Sequence, residues 1–134
     1  MQLSAIADRG LVLLGCGKMG SALLEGWLAG GVPPRAFSIR EPNPSPRLSA
    51  LTGEGLVLNG PLPRDPAVAL IAVKPQMMAS ALPELVALGN GTTLFLSIAA
   101  GIPIATFEAM LGARTPVVRA MPNTPAAVGR GITA

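Results

Sequence analysis

The fold of this chain is decided by one stretch near its N-terminus, Leu11-Val12-Leu13-Leu14-Gly15-Cys16-Gly17-Lys18-Met19-Gly20. Four apolar residues lead into a glycine-rich turn, and a helix is predicted to open at Lys18 or Met19. The glycines form the pattern G-x-G-x-x-G, in which the first permits a tight turn and the second admits a pyrophosphate. The third lets the helix pack closely on the strand, and the helix N-terminus presents unpaired N–H groups to phosphate. The stretch therefore predicts a dinucleotide-binding strand–turn–helix unit.

The composition is apolar, and this is explained by buried strands. Half of the 134 residues are hydrophobic and 13% are charged. Residues 85–107 carry no charge and are numerous enough to span a bilayer. Turn signals at residues 89–91 and 101–103 interrupt them, however, and leave a short run over 93–98 that fits a strand. Strands of a parallel sheet are covered on both faces and are apolar throughout, so no membrane segment is predicted.

Several classes of function are excluded by residue types that are scarce. The ten basic residues are scattered and aromatic residues make up 3%, which argues against nucleic-acid binding. The single cysteine allows no internal disulfide and suits a cytoplasmic protein. Histidine and tyrosine are absent, which removes histidine triads, histidine metal sites and a tyrosine–lysine pair from consideration. No metal site is predicted.

The rest of the chain alternates between strand and helix patterns. Strands are predicted over residues 36–40, 56–58, 68–73, 93–98 and 117–121, and helices over 45–53, 76–88 and 104–111, with Pro83 kinking or restarting the second of these. This order indicates an α/β, Rossmann-like, doubly wound and mostly parallel sheet with helices on both faces. Residues 1–134 are interpreted as one NAD(P)-binding domain.

Ligands bind such sheets outside the carboxyl ends of the strands. Five segments fall there: residues 15–20, 40–43, 73–76, 99–102 and 121–125. At the end of the second strand Arg40 would favour a ribose 2′-phosphate and Glu41 a 2′-hydroxyl. Since neighbouring strand residues point in opposite directions, one of them is expected to face the ribose, and the sequence leaves open which.

For several single residues, a ligand-binding role has to be weighed against a structural one. Lys74, at the end of a buried strand, could reach the nicotinamide half of a dinucleotide or be an ordinary solvated lysine. Lys18 could contact phosphate or solvent. Cys16 lies beside a helix N-terminus, which can lower the pKa of a thiol, but a space-filling role is favoured. Met77, Met78 and Met110 are interpreted as core residues.

Four blocks together resemble the pyrroline-5-carboxylate reductase family: residues 14–20, 72–76, 97–102 and 118–125. The last, Val118-Arg119-Ala120-Met121-Pro122-Asn123-Thr124-Pro125, is the most specific. The resemblance implies hydride transfer from NADPH, with NADH possible, to 1-pyrroline-5-carboxylate, giving proline. Arg40 and Asn43 favour NADPH, whereas Glu41 departs from the family pattern and leaves NADH open.

The resemblance also implies roles for individual residues. Asn123 and Thr124 are the catalytic candidates, where cofactor and imine would meet. The residues implied to bind cofactor are Leu14, Gly15, Cys16, Gly17, Lys18, Met19, Gly20, Arg40, Asn43, Asn59, Ala72, Val73, Lys74, Pro75, Ala99 and Ala100.

Members of this family continue into a helical domain that supplies dimer contacts and much of the substrate site. That domain is absent from residues 1–134, so the isolated chain is expected not to be a competent enzyme, and a homo-oligomer is expected only with that domain. Two alternatives remain open: a reductase domain of the β-hydroxyacid dehydrogenase type, and a nucleotide-sensing module without catalysis.

Overall fold

A computed structural model describes residues 3–99 and 101–120 of the chain. Its centre is one sheet of six strands, in which every pairing within the described residues is parallel. The strands are β1 (Leu11–Leu14), β2 (Phe37–Arg40), β3 (Val57–Leu58), β4 (Val68–Ile71), β5 (Leu94–Ser97) and β6 (Val117–Arg119). They lie in the order β3-β2-β1-β4-β5-β6, which is the order of the Rossmann fold. The predicted fold class is confirmed.

Alternate residues of the strands enter two separate cores, because successive side chains point to opposite faces of a sheet. On β1, Leu11 and Leu13 belong to one core, and Val12 and Leu14 to the other. All four are at most 1% exposed. Burial on both faces explains why the central strands read as unbroken apolar runs.

Helices cover both faces of the sheet. They are α1 (Leu3–Arg9), α2 (Lys18–Ala29), α3 (Pro46–Leu51), α4 (Met78–Ala81) and α5 (Ile104–Leu111), with 3₁₀ turns at Pro34–Ala36, Thr52–Glu54, Pro75–Met77 and Leu82–Leu88. The first three α-helices pack on the core that contains Leu13, and the last two on the core that contains Leu14. Ser45 caps α3 as expected, since its Oγ accepts a hydrogen bond of 3.2 Å from the Leu48 N–H.

The helical segment after β4 is broken where a proline demands it. The sequence predicts a helix over residues 76–88 with a kink or restart at Pro83. In the structure a 3₁₀ turn, α4 and a longer 3₁₀ segment follow one another, with the last change at Leu82. Proline lacks the N–H that the α-helical ladder needs, so the break is confirmed.

Other boundaries differ from those predicted. The strand predicted over 68–73 ends at Ile71, which leaves Ala72 and Val73 in the turn that follows it. The helical segment after Ser45 is closed by Gly55, with φ +106°, rather than by Gly53. Helix α1 carries no pattern that predicted it, and it is held by the fully buried Ile6. Met121, the predicted end of β6, lies outside the described residues.

Among the described residues, no helix combines the length and the apolar character needed to cross a membrane. In the same ranges no cluster of three or more His, Cys, Asp or Glu is placed to hold a metal ion.

Two adjacent methionines provide a matched test of the core. Met78 is 3% exposed and Met77 is 49% exposed, so the prediction that Met77 is a core residue is wrong. We expect Met78→Ala to lower the free energy of unfolding by about 2–5 kcal/mol, through lost burial and a cavity. Met77→Ala should change it by less than about 0.5 kcal/mol in the same urea titration. Equal effects of the two substitutions would contradict this packing.

Candidate functional site

The three glycines of the turn after β1 have three different surroundings. Gly15 has φ +85°, and a Cβ built on it would lie 2.8 Å from Val73 Cγ1. A Cβ on Gly20 would lie 3.0 Å from the Gly15 carbonyl oxygen and 3.4 Å from Ala72 Cβ. A Cβ on Gly17 would meet no atom within 4 Å among the described residues, its chain neighbours aside. The first and third glycines are therefore required by the protein's own packing, while the second leaves open space above the turn.

Helix α2 begins directly at this open space. Gly17 is its N-cap residue, in extended conformation and with no capping side chain. The first hydrogen bond across the start of the helix runs from the Ser21 N–H to the Gly17 carbonyl, at 2.8 Å. The N–H groups of residues 18–20 precede that bond and cannot be satisfied within the helix, so they can receive an anion.

A cleft of about 660 Å³ lies at the carboxyl ends of the strands. The chain moves outward from β1 to β2 and β3 and then returns to place β4 on the other side of β1, so the strand order reverses there. Such a reversal is where α/β sheets bind ligands. The turn after β1 lines the cleft, together with the ends of β2, β3 and β4 and the helical segment after β4: Leu14, Gly15, Gly17, Arg40, Glu41, Pro42, Asn43, Asn59, Ala72, Val73, Lys74, Met77, Ser80, Ala81 and Glu84.

The carboxylate of Glu41 joins the glycine turn to the loop after β2. Its Oε1 accepts a hydrogen bond of 2.7 Å from the Cys16 N–H, and its Oε2 accepts one of 2.9 Å from the Asn43 N–H. Glu41 is therefore the residue of the pair whose side chain turns toward the glycine turn, and which of the two faces a ribose stays a prediction.

Asn59 fixes the backbone of Glu41 from the neighbouring strand. Its side-chain oxygen accepts from the Glu41 N–H and its amide nitrogen donates to the Glu41 carbonyl, both at 2.8 Å. Asn59 has φ +55°, a conformation that asparagine tolerates better than most residues. The residue implied to contact cofactor thus lines the cleft and also holds the position of Glu41.

Arg40 turns to the other side of the cleft. Its Nη1 lies 3.1 Å from Glu84 Oε1, and the side chains are 28% and 44% exposed. Its Nε is buried without a hydrogen-bond partner in the described part of the chain. The two charged residues at the end of β2 are therefore directed to different partners, as the alternation along a strand predicts.

Cys16 is a buried residue of the turn and is poorly suited to act as a nucleophile. It is 7% exposed, and its Sγ lies 3.4 Å from Ser21 Oγ. Burial raises the pKa of the Cys16 thiol above its ordinary value; the hydrogen bond with Ser21 opposes this, and the carboxylates of Glu41 and Glu25 add to the rise. The environment favours the neutral thiol and agrees with the space-filling interpretation.

The other predicted site residues are distributed unevenly. Ala72, Val73 and Lys74 line the cleft, and Pro75 begins the 3₁₀ turn beside it. Lys18 is exposed and Met19 half-buried in the first turn of α2. Ala99 is buried in the core that contains Leu14, and its N–H donates to Ser97 Oγ at 3.2 Å. Ala100, Asn123 and Thr124 lie outside the described residues, so their assignments stay predictions.

Sequence reasoning missed the wall formed by the segment after β4, where Met77, Ser80, Ala81 and Glu84 line the cleft. No motif marks these residues. A signal was available in the topology, because the segment that follows β4 must pass beside the crevice between β1 and β4.

Comparisons with known proteins agree with this geometry. Residues 10–101 match the profile of a family described as NADP oxidoreductase coenzyme F420-dependent. A pyrroline-5-carboxylate reductase of Pseudomonas aeruginosa is 37% identical over 125 residues, covering 90% of this chain and 45% of that protein. That of Haemophilus influenzae is 36% identical over 127 residues, covering 91% and 46%. The chain thus spans about half the length of these curated relatives.

A solved structure of a pyrroline-5-carboxylate reductase from Coxiella burnetii superposes with a TM-score of 0.76. It is 26% identical, and the match covers 90% of this chain and 46% of that one.

The contrast between Gly15 and Gly17 can be tested by stability. We expect Gly15→Ala to lower the free energy of unfolding by about 2–4 kcal/mol, because alanine is strained at positive φ and its Cβ meets Val73. Gly17→Ala should cost at most about 1 kcal/mol, the difference between glycine and alanine at a helix N-cap. Urea unfolding measures both. A Gly17 variant as unstable as the Gly15 variant would contradict the open space above the turn.

The state of Cys16 can be tested with a thiol reagent. At neutral pH we expect iodoacetamide to alkylate Cys16 more slowly in the folded chain than in the urea-unfolded chain, because the thiol is buried and its raised pKa leaves less thiolate. Ser21→Ala should not accelerate the reaction, since it removes the contact that lowers the pKa. Mass spectrometry follows the modification, and equal rates in both states would show an exposed or activated thiol.

Proposed function

Because this chain belongs to the family described as NADP oxidoreductase coenzyme F420-dependent, we propose that it is the N-terminal dinucleotide-binding domain of a pyrroline-5-carboxylate reductase. The observation that carries the proposal is the open space above Gly17 at the mouth of the cleft, beside the start of α2. The relatives bearing that name support the choice of reaction. The helical domain and the homo-oligomer expected from the resemblance, and a cytoplasmic location, remain part of this proposal.

Three parts of the cleft are proposed to receive three parts of a pyridine dinucleotide. The pyrophosphate would lie above Gly17, against the N–H groups of residues 18–20. The adenosine ribose would lie at the end of β2, beside Glu41, and the nicotinamide beside Ala72, Val73 and Lys74 at the end of β4. At the ribose end Arg40 and Asn43 support NADPH, and Glu41 supports NADH.

When bound, the reduced nicotinamide would supply a hydride to the carbon of the C=N bond of 1-pyrroline-5-carboxylate, and a proton taken up on the nitrogen completes the reduction to proline. The task of this chain is to hold and orient the donor. Gly15 and Gly20 let the turn pack against Ala72 and Val73, directly after β4, and so would bring the phosphate site beside the nicotinamide end. Asn123 and Thr124 are proposed to lie where the cofactor and the imine meet.

A pair of glycine substitutions tests the phosphate site. We expect Gly17→Val to weaken binding of both NADH and NADPH at least tenfold, about 1.4 kcal/mol, because the side chain fills the space that the pyrophosphate needs. In the described part of the chain a Cβ built on Gly53 also meets no atom within 4 Å, and Gly53 lies in the 3₁₀ turn after α3, outside the lining of the cleft. Gly53→Val should therefore bind as the unaltered chain does in calorimetric titration. If Gly17→Val folds and binds normally, the phosphate site is misplaced.

The reaction itself is tested with the protein produced from the whole reading frame. Pyrroline-5-carboxylate should cause loss of the nicotinamide absorbance of NADPH or NADH. Nucleotide binding without such turnover would favour the sensing module, and oxidation with a β-hydroxyacid and an oxidised nucleotide would favour the dehydrogenase alternative.

A further inference from the structure

The ribose end of the cleft is dominated by a carboxylate that is already positioned. Both oxygens of Glu41 accept hydrogen bonds from backbone N–H groups, at 2.7 and 2.9 Å, and Asn59 holds its backbone at both polar atoms. A carboxylate bound in this way cannot turn aside without losing two charge-assisted hydrogen bonds. It therefore presents a fixed negative charge where a dinucleotide of this fold places its adenosine ribose.

The two pyridine dinucleotides differ at that ribose. NADH carries a 2′-hydroxyl, which can donate a hydrogen bond to a carboxylate, whereas NADPH carries a 2′-phosphate, which a carboxylate repels. Each oxygen of Glu41 keeps a lone pair beyond the one used by its backbone partner. The hydroxyl can therefore bind while the hydrogen bonds from the Cys16 and Asn43 N–H groups are kept. The phosphate could bind only if the Glu41 carboxylate moved away or if the repulsion between the two negative charges were overcome.

A cation nearby could reverse this preference, and Arg40 is the residue placed to do so. Its guanidinium, however, is held by Glu84 across the cleft, at 3.1 Å. This contact directs the guanidinium toward Glu84, and that carboxylate offsets its positive charge. Lys74, the other cation among the described residues that line the cleft, follows β4 and so lies at the opposite, proposed nicotinamide end.

From these contacts we infer that Glu41 and Glu84 together select the dinucleotide with a free 2′-hydroxyl. Glu41 acts directly, as acceptor for the hydroxyl and as a repulsive charge toward phosphate. Glu84 is a positioning residue, which withholds Arg40 from the ribose. The inference rests on the proposed dinucleotide site and makes the chain selective for NADH over NADPH.

The test is calorimetric titration of the 134-residue chain with NADH and with NADPH at one fixed salt concentration. We expect the unaltered chain to bind NADH at least about tenfold more tightly. Glu41→Gln removes the charge and keeps the shape, and should reduce the ratio of the two affinities about tenfold. Glu84→Gln should strengthen NADPH binding several-fold, through the released Arg40, and leave NADH within about twofold.

Glu108→Gln, on α5 and outside the cleft, is the matched control and should change neither affinity. Thermal unfolding of each variant verifies that it is folded, and the comparison within the unaltered chain stands even if Glu41→Gln unfolds. Equal binding of both nucleotides, or tighter binding of NADPH, by the unaltered chain would overturn the selectivity. A Glu84→Gln variant that alters both affinities alike would overturn the role of Glu84. If the unaltered chain binds neither nucleotide, the dinucleotide site itself is wrong.

Discussion

The close approach of the glycine turn to the end of β4 is the constraint on which the site depends. Gly15 leaves no room for a side chain beside Val73, and Gly20 packs helix α2 against Gly15 and Ala72. Because these contacts are made by backbone and small side chains, the ends of β1 and β4 stay adjacent while the chain on either side diverges. The cleft is the space that this divergence leaves. Larger residues at either glycine would push the helix away from the end of β4 and disturb the proposed diphosphate site.

A network of hydrogen bonds also fixes the edge of the cleft. Asn59 at the end of β3 holds the backbone of Glu41 at the end of β2, and Glu41 holds the turn at the end of β1. Three neighbouring strands are thereby tied together at the edge of the cleft by side chains and not only by the sheet. Such a network costs little when every member is paired, and here it holds the Glu41 carboxylate in one position at the edge of the cleft.

Prediction from sequence succeeded where one local rule was sufficient. The spacing of Gly15, Gly17 and Gly20 identified the strand–turn–helix unit, and Pro83 located the break in the helical segment. It failed where the outcome depended on distant parts of the chain. Helix α1 has no helical sequence pattern, and it is stabilised by burial of Ile6 against the rest of the chain. The contact between Glu84 and Arg40 joins residues that become neighbours only when the sheet is complete. The direction of Glu41 likewise required the position of Asn59.

The central position of β1 also has a consequence for how the chain acquires its structure. β1 pairs with β2 on one side and with Val68–Ile71 of β4 on the other, so one of its two partners is synthesised only after the interval of chain that contains β2 and β3. Sheets whose adjacent strands are distant in sequence form slowly, because the entropy cost of closing a long loop comes before the stabilising contacts between the strands. During that interval the apolar residues of β1 have one uncovered edge. That unpaired edge is a place where the nascent chain can aggregate until β4 has been made.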